Sequence, residues 1–178
     1  MAELVFDDNT LVNKLQILFI FDKMGIPLTE STILEICATR NNWISYMEII
    51  EAIHTLVSSG FLYKNISSSK EEYYTLTPNG HECLNSFFAR IPLSRRTEIV
   101  SYVKDNRMAF KRAQEYTHSY FKNDDGTYTV LLKIMDPTHA IVEMKLNVTN
   151  RKIAKSVAAK WENNAADVYS TIFDKLID

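Results

Sequence analysis

Apolar residues recur at helical spacing along the first part of the chain. Between residues 9 and 24 they favour one side of a helix. Gly25 ends that helix, because glycine readily adopts the left-handed conformation common just past a helix end. A second helix is predicted from the N-cap Thr29 to about Thr39. Two amphipathic helices therefore open the chain.

The third predicted helix has the clearest start, because Ser45 and Glu48 have the spacing of a capping box. Its apolar stripe is expected to be buried and consists of Ile49, Ile50, Ile53, Leu56 and Val57. The opposite face is expected to carry Met47, Glu48, Glu51, Ala52, Thr55 and Ser58. Gly60 then ends the helix.

A β-hairpin is predicted next, from the β-rich segments "FLYKNI" and "EYYTLT" on either side of the polar tip "SSSKE". Thr77 and Pro78 fit the N-cap and first position of a fourth helix, which ends before Pro92. Three helices, a hairpin and a helix form the order of a winged helix-turn-helix domain, which we assign to residues 1–92.

A connecting helix capped by Ser94 is predicted to open the second domain, residues 93–178. Its inward residues are expected to be Ile99, Val103 and Phe110, and its outward residues Arg95, Arg96, Lys104, Arg107, Lys111 and Arg112. Three alternating segments separated by "NDDG" and "DPTH" predict a three-stranded antiparallel sheet. The predicted fold class is therefore α+β.

A long C-terminal helix starting at Thr149 or Asn150 completes the predicted second domain. Its expected buried stripe is Ile153, Val157, Trp161, Val168, Ile172 and Leu176, and Asn163–Asn164 is a candidate break. The aromatic residues of this half are expected to form its core, or else a ligand pocket or subunit interface. They are Tyr116, Tyr120, Phe121, Tyr128, Trp161, Tyr169 and Phe173.

Charge is unevenly distributed along the 178 residues, although the net charge is only −2. Residues 1–92 carry six Lys and Arg against eleven Asp and Glu, whereas residues 93–178 carry fourteen against eleven. The longest apolar run, Ile17–Phe21, is far too short to cross a membrane. Two widely separated cysteines and an acidic N-terminus predict a reduced, cytoplasmic protein without a membrane partner.

The segment "LVSSGFLYK…YYTLTPNGHECL" resembles the wing region of PadR-like and MarR-like regulators. The matching residues are Leu56, Gly60, Phe61, Leu62, Tyr74, Leu76, Thr77, Pro78 and Gly80. The whole chain is similar to an uncharacterised bacterial family of winged-helix transcriptional regulators with a C-terminal α/β segment. The similarity lies in "IPLT", "YMEIIEAIHTLVSSGFL", "YTLTPNG", "ARIP", "MKLNV" and "WENNAADVY". It implies DNA binding and supplies no catalytic residues.

Ten residues are candidates for contacts with duplex DNA. They are Arg40, Asn41, Asn42, Ser45, Tyr46, Thr55, Lys64, Lys70, Arg95 and Arg96. Each group has a structural alternative. Asn41 and Asn42 also suit a turn, Lys70 a solvated hairpin tip, and Arg95 and Arg96 a solvated helix face.

The predicted function is a transcriptional regulator that binds DNA as a homodimer, with the second domain supplying dimerisation or effector sensing. The presented face of the third helix has two carboxylates and no Lys or Arg, which disfavours phosphate contact. The alternative is therefore a winged-helix module that binds another protein. No catalytic or metal-binding motif is found, so neither enzyme activity nor a cofactor or metal is expected.

Overall fold

The computed structural model describes residues 8–66, 70–136 and 139–177. Over these residues the fold is α+β, with six α-helices and two antiparallel sheets. The chain divides into two compact units, of which the first ends at Arg107 and the second begins at Met108, within one helix. None of the described helices is both long and apolar enough to cross a membrane.

The first unit contains α1 Asp8–Met24, α2 Glu30–Leu34, a π-helical turn Glu35–Arg40, α3 Tyr46–Ser58, β1 Leu62–Ile66, β2 Glu72–Leu76, α4 Pro78–Phe87, a 3₁₀ turn Phe88–Arg90 and most of α5 Leu93–Glu115. The second contains the end of α5, then β3 Tyr116–Lys122, β4 Tyr128–Met135, β5 Ala140–Val148 and α6 Arg151–Leu176.

Helix α1 is the centre of the first unit. Every side chain from Leu15 to Phe21 is buried, including the polar Gln16. The helix packs against α3 and α4, so it is covered on more than the one side that its spacing predicts. Gly25 ends α1 as predicted, with a φ of +60°. Arg107 of α5 donates from Nε to the Met24 carbonyl at 2.6 Å, which satisfies a terminal acceptor of α1.

Local capping chemistry sets the next two helices. The Thr29 hydroxyl accepts a hydrogen bond from the Thr32 amide, as predicted for an N-cap. The predicted capping box of Ser45 and Glu48 is also present at the start of α3. The stripe on α3 is confirmed for Ile49, Ile53 and Leu56.

Ala52 was predicted on the exposed face of α3, and this is wrong, because the structure buries it. Its methyl group lies beside α1, where it lines a narrow groove with Thr10 and Asn13. A small side chain allows the two helices to approach closely, so α3 buries a wider face than its large apolar residues indicate.

The predicted hairpin is confirmed, with β1 and β2 antiparallel and Leu62 paired with Leu76. A third short segment joins it. Leu28, between α1 and α2, forms an antiparallel bridge to Tyr74 through two backbone hydrogen bonds of 3.0 and 2.8 Å. Residues 67–69 of the predicted tip "SSSKE" lie outside the described residues.

Thr77 connects the base of the hairpin to α4. Its hydroxyl lies 2.8 Å from the Gly60 carbonyl oxygen and accepts from the Gly80 amide at 2.9 Å. A β-carbon at Gly80 would lie only 2.3 Å from the Phe61 carbonyl oxygen. The hairpin therefore approaches the first turn of α4 so closely that only glycine fits at this position.

The predicted N-cap Ser94 is wrong, because α5 already begins at Leu93. The Pro92 carbonyl accepts the first helical hydrogen bond, from the Arg96 amide at 3.0 Å, and so occupies the capping position. Ile99 and Val103 are buried as predicted.

The predicted antiparallel sheet of the second unit is confirmed, with strand order β3-β4-β5. Tyr116 pairs with Ile134, and Tyr128 pairs with Val148. The "NDDG" turn is also present and is closed by the Asn123 amide, which donates to the Thr127 carbonyl at 2.8 Å. Residues 137 and 138 of the predicted turn "DPTH" lie outside the described residues.

Helix α6 covers the sheet, but mainly through residues other than the predicted stripe. Its side of the core consists of Ala154, Ala158, Trp161 and Ala165. Of the predicted stripe only Trp161 is fully buried, whereas Ile153 is 43% and Leu176 79% exposed. Asn150 is the N-cap as predicted. The helix runs without a break through Asn163–Asn164.

The aromatic residues of the second unit fall into two groups. Tyr116, Tyr120 and Tyr128 pack against the core around Trp161, as expected. Phe121, Tyr169 and Phe173 are exposed over a third or more of their surface. The predicted aromatic core therefore holds for the three tyrosines around Trp161, and not for Phe121 on β3 or for the aromatic residues near the end of α6.

Candidate nucleic-acid interface

The loop between the π-helical turn and α3 carries the densest group of predicted DNA contacts. Its backbone is fixed by the Cys37 carbonyl, which accepts from the amides of Trp43 at 2.7 Å and Ile44 at 3.2 Å. Asn41 donates from its side chain to the Ile36 carbonyl at 2.7 Å. Asn42 has a φ of +50°, a conformation that asparagine tolerates better than most residues. Both asparagines thus form the turn. Within the described residues, the side-chain amide of Asn41 binds the backbone and that of Asn42 does not.

Arg40 is directed along its own helical turn towards Glu35. Its Nε and Nη2 atoms lie 2.7 and 2.5 Å from the same Glu35 oxygen. This hydrogen bond raises the pKa of Arg40 above its ordinary value. Half of the arginine side chain remains exposed, so the pair lies at the surface, where an ion pair contributes little to stability.

Ser45 and Glu48 are occupied by the capping box. The Ser45 amide donates to Glu48 Oε2 at 3.2 Å, and the Ser45 hydroxyl donates to the same oxygen. Asn13 of α1 donates to the other carboxylate oxygen at 3.1 Å. The hydrogen bonds from Ser45 lower the pKa of Glu48, so this carboxylate is ionised. The carboxylate thus bridges the start of α3 and α1, and the Glu48 side chain remains exposed.

The outward surface at the start of α3 is formed by Tyr46 and Met47, which are 58% and 72% exposed. His54 is exposed further along the same helix. Thr55 is half-buried, and its hydroxyl donates to the Glu51 carbonyl at 2.8 Å. Thr55 is therefore less available than predicted. Glu51 and Glu48 both border the groove beside α1, which has a volume of about 20 Å³.

The two lysines of the hairpin differ in their surroundings. Lys64 on β1 forms an ion pair of 2.8 Å with Glu72 on β2, and this hydrogen bond raises the pKa of Lys64. Lys70 is exposed and has a φ of +64°. Tyr63 and Ile66 are more than half exposed beside them. The surface of the hairpin is thus mixed, with apolar and basic side chains together.

Arg95 and Arg96 were predicted on the outer face of α5, but both are half-buried against aromatic rings. The Arg95 guanidinium lies 5.4 Å from the centre of the Trp43 ring and 3.4 Å from Glu98 Oε2. The Arg96 guanidinium lies 4.8 Å from the centre of the Phe88 ring. These distances allow cation–π attraction. The alternative of a freely solvated helix face is therefore wrong for both.

Trp43 is the residue of this region that the sequence did not single out. Its ring contacts Arg95 and also meets Tyr102 edge-on at 5.8 Å. It thereby brings Arg95 to the loop before α3, whereas Arg96 lies against Phe88 instead. Burial raises the pKa of Tyr102. In the sequence, the sign of this packing role is that an aromatic residue directly follows the polar residues of "RNNW".

Cys37 lies beneath this loop and is fully buried. Burial raises the pKa of its thiol to about 12, so the thiol is protonated and unreactive. Within residues 8–66, 70–136 and 139–177, no three His, Cys, Asp or Glu side chains are grouped so that they could hold a metal ion.

Comparison with known proteins identifies the chain at the level of its family. No match is found among curated proteins or among solved structures. Residues 13–176 match the protein family described as "Domain of unknown function (DUF4364)". The match covers nearly the whole chain and includes both units. The protein therefore belongs to the DUF4364 family.

Proposed function

We propose that the first unit is a winged-helix domain and that the protein is a cytoplasmic transcriptional regulator that binds duplex DNA as a homodimer. The observation that carries this proposal is the bridge between Leu28 and Tyr74. It adds a short strand from between α1 and α2 to the hairpin that follows α3. The order helix, strand, helix, helix, hairpin is that of a winged helix-turn-helix domain.

The start of α3 is the part of the proposed reading helix best suited to DNA. In helix-turn-helix proteins the N-terminal residues of the second helix contact base edges in the major groove. Here those residues are Tyr46 and Met47, preceded by the turn that Asn42 forms. The carboxylate of Glu48, exposed beside these residues, is bound by Ser45 and Asn13, so three hydrogen bonds already occupy its two oxygens.

Basic side chains around this surface would meet phosphates. Arg40 and Lys64 form exposed ion pairs with Glu35 and Glu72, which contribute little to stability, and a phosphate can replace such a partner. Lys70 adds an exposed charge on the hairpin. Two half-sites bound by a two-fold dimer would double the number of these contacts.

Fluorescence anisotropy with a mixed-sequence duplex, at low and at moderate salt, tests the proposal. We expect binding that weakens steeply with salt, because each neutralised phosphate releases counterions. Replacing Lys64 and Lys70 by Gln should reduce the salt slope by about one for each lysine lost. The matched control replaces Lys152 and Lys155, exposed on α6 of the second unit, and should leave the slope unchanged. Absence of binding even at low salt would refute DNA recognition.

A second candidate function, binding of another protein, is favoured by the composition of the α3 surface. Its exposed residues include Tyr46 and Met47 beside Glu51, with no Lys or Arg on the helix. Aromatic residues and Met are enriched in protein interfaces, whereas phosphate recognition requires positive charge. A photo-crosslinking residue at position 47, activated in cells, separates the two functions. A nuclease-sensitive adduct supports DNA binding, and a protease-sensitive adduct of defined mass supports a protein partner.

A further inference from the structure

The second unit contains an open cavity of about 370 Å³, and most of its lining side chains are exposed to solvent. Its walls come from the last turns of α5, the first residue of β3 and the middle of α6. All of the lining residues lie between residues 108 and 166, so the cavity belongs to the second unit alone. Its volume falls in the range of about 300–1,000 Å³ that small-molecule sites occupy.

Four charged side chains line the cavity, and two of them neutralise each other. The Lys111 ammonium lies 3.6 Å from Glu115 Oε1. Arg112 has no ion pair or hydrogen bond from its side chain within the described part of the chain. The ion-pair partner of Glu162 within the described residues is the imidazole of His118, 3.8 Å away, which is cationic only when protonated. Arg112 and Glu162, both solvent-exposed, thus place one positive and one negative group on the wall of the same cavity.

This pair of charges discriminates between classes of ligand. An inorganic anion would be attracted by Arg112 and repelled by Glu162. A simple cation would be attracted by Glu162 and repelled by Arg112. A molecule with both charges satisfies both side chains at once. A guanidinium also binds a carboxylate through two parallel hydrogen bonds, which adds direction to the attraction.

The remaining wall supplies groups for the uncharged part of such a ligand. The amide of Asn163 and the hydroxyl of Tyr116 make no side-chain hydrogen bond within the described residues, so both can bind polar atoms. Met108 and Ala166 provide apolar surface. A flexible methionine adapts to side chains of different shapes.

We propose that this cavity binds a free α-amino acid with an uncharged side chain, whose carboxylate pairs with Arg112 and whose ammonium pairs with Glu162. The side chain of the ligand packs against Met108 and Ala166. That the ligand acts as an effector of DNA binding rests on the proposed function, but the binding itself does not.

Nuclear magnetic resonance of the full chain, without DNA, tests the proposal. The uncharged common L-amino acids are titrated singly, and the backbone amides of Tyr116 and Asn163 are followed. We expect saturable shifts of both amides with at least one amino acid. The N-acetyl derivative lacks the ammonium and the carboxamide derivative lacks the carboxylate, so each should bind at least ten times more weakly.

Matched variants assign the two contacts. Arg112→Gln and Glu162→Gln should each weaken binding at least tenfold, whereas Arg151→Gln, which removes an exposed arginine of α6 outside the cavity, should not. Each variant is first checked for an unchanged spectrum away from the cavity, which shows that it folds. No saturable shift with any amino acid, equal binding of the N-acetyl derivative, or full affinity of Arg112→Gln would overturn the proposal. None of these outcomes depends on whether the protein binds DNA.

Discussion

Helices α3 and α6 each cover a core with one face, but they do so with different side chains. Helix α3 buries the branched residues Ile49, Ile53 and Leu56, with Ala52 at the margin. Helix α6 buries three alanines around a single large residue, Trp161. Small side chains let a helix lie close to a sheet, and one indole then fills the remaining space. The comparison shows that the size of an apolar residue does not by itself predict burial.

Ile53→Asp should have the largest effect of the substitutions that test this comparison. It places an unpaired carboxylate in the apolar core of the first unit, which costs several kcal/mol and approaches the whole stability of a domain. We expect the unit to unfold, as seen by loss of its dispersed amide resonances. Met47→Asp on the exposed side of the same helix is the control and should stay folded. A native spectrum for Ile53→Asp would refute the buried face of α3.

Trp161→Ala should be the most damaging change in α6. It removes the one large core side chain of the helix, and truncations of this kind cost about 3–5 kcal/mol. The indole also donates to the Lys133 carbonyl at 3.1 Å. Trp161→Phe retains much of the ring and should lose less, about 1–3 kcal/mol, for the smaller side chain and the lost indole hydrogen bond. Urea unfolding measures both, and equal losses for the two variants would contradict this role of the indole.

Ala158→Leu tests the close approach of α6 to the sheet. The extra atoms have no room beside the core, and overpacking typically costs about 1–3 kcal/mol. Ala159→Leu is the matched control, since the neighbouring alanine is exposed and its replacement should stay within about 0.5 kcal/mol. Equal urea midpoints for the two variants would show that the alanines do not set the helix-to-sheet distance.

Ser45→Ala should have a smaller effect on α3, about 1 kcal/mol, because it removes one partner of the capping box. The effect should depend on pH. Ser45 lowers the pKa of Glu48, so this stabilisation is present above the pKa of Glu48 in the unfolded chain. It is lost as pH falls through the lowered value in the folded chain. The urea midpoints of wild type and variant should therefore converge in acid, and a constant difference would exclude the carboxylate.

Leu176→Ser should have the smallest effect. The side chain is 79% exposed at the end of α6, and surface substitutions usually change stability by less than about 0.5 kcal/mol. A loss of stability comparable to that of Trp161→Ala, measured by urea unfolding, would show that Leu176 belongs to the buried stripe that its spacing predicts.

The features that sequence predicted well are those set by neighbouring residues. The caps at Thr29, Ser45, Thr77 and Asn150 each depend on one short side chain and on the residue three positions later. Ser94 has the same chemistry but failed, because the carbonyl of Pro92 already begins the helix. The antiparallel order of the strands followed from alternation and turn residues for the same local reason.

The features that sequence did not predict depend on residues far apart in the chain. The stacking of Arg95 on Trp43 joins segments about fifty residues apart, and neither residue shows a pattern that names the other. The burial of Ala154 and Ala165 depends on how closely α6 lies to a sheet that precedes it. Of the candidate interface, the elements were therefore predictable, and the partners of its arginines were not.

The hydrogen bonds of Thr77 and the missing β-carbon of Gly80 also bear on motion. The Thr77 hydroxyl bonds to the Gly60 carbonyl just before β1 and to the Gly80 amide of α4, and the Phe61 carbonyl leaves no room for a β-carbon at Gly80. The base of the hairpin and the first turn of α4 therefore have no space in which to slide against each other, and they move as one piece.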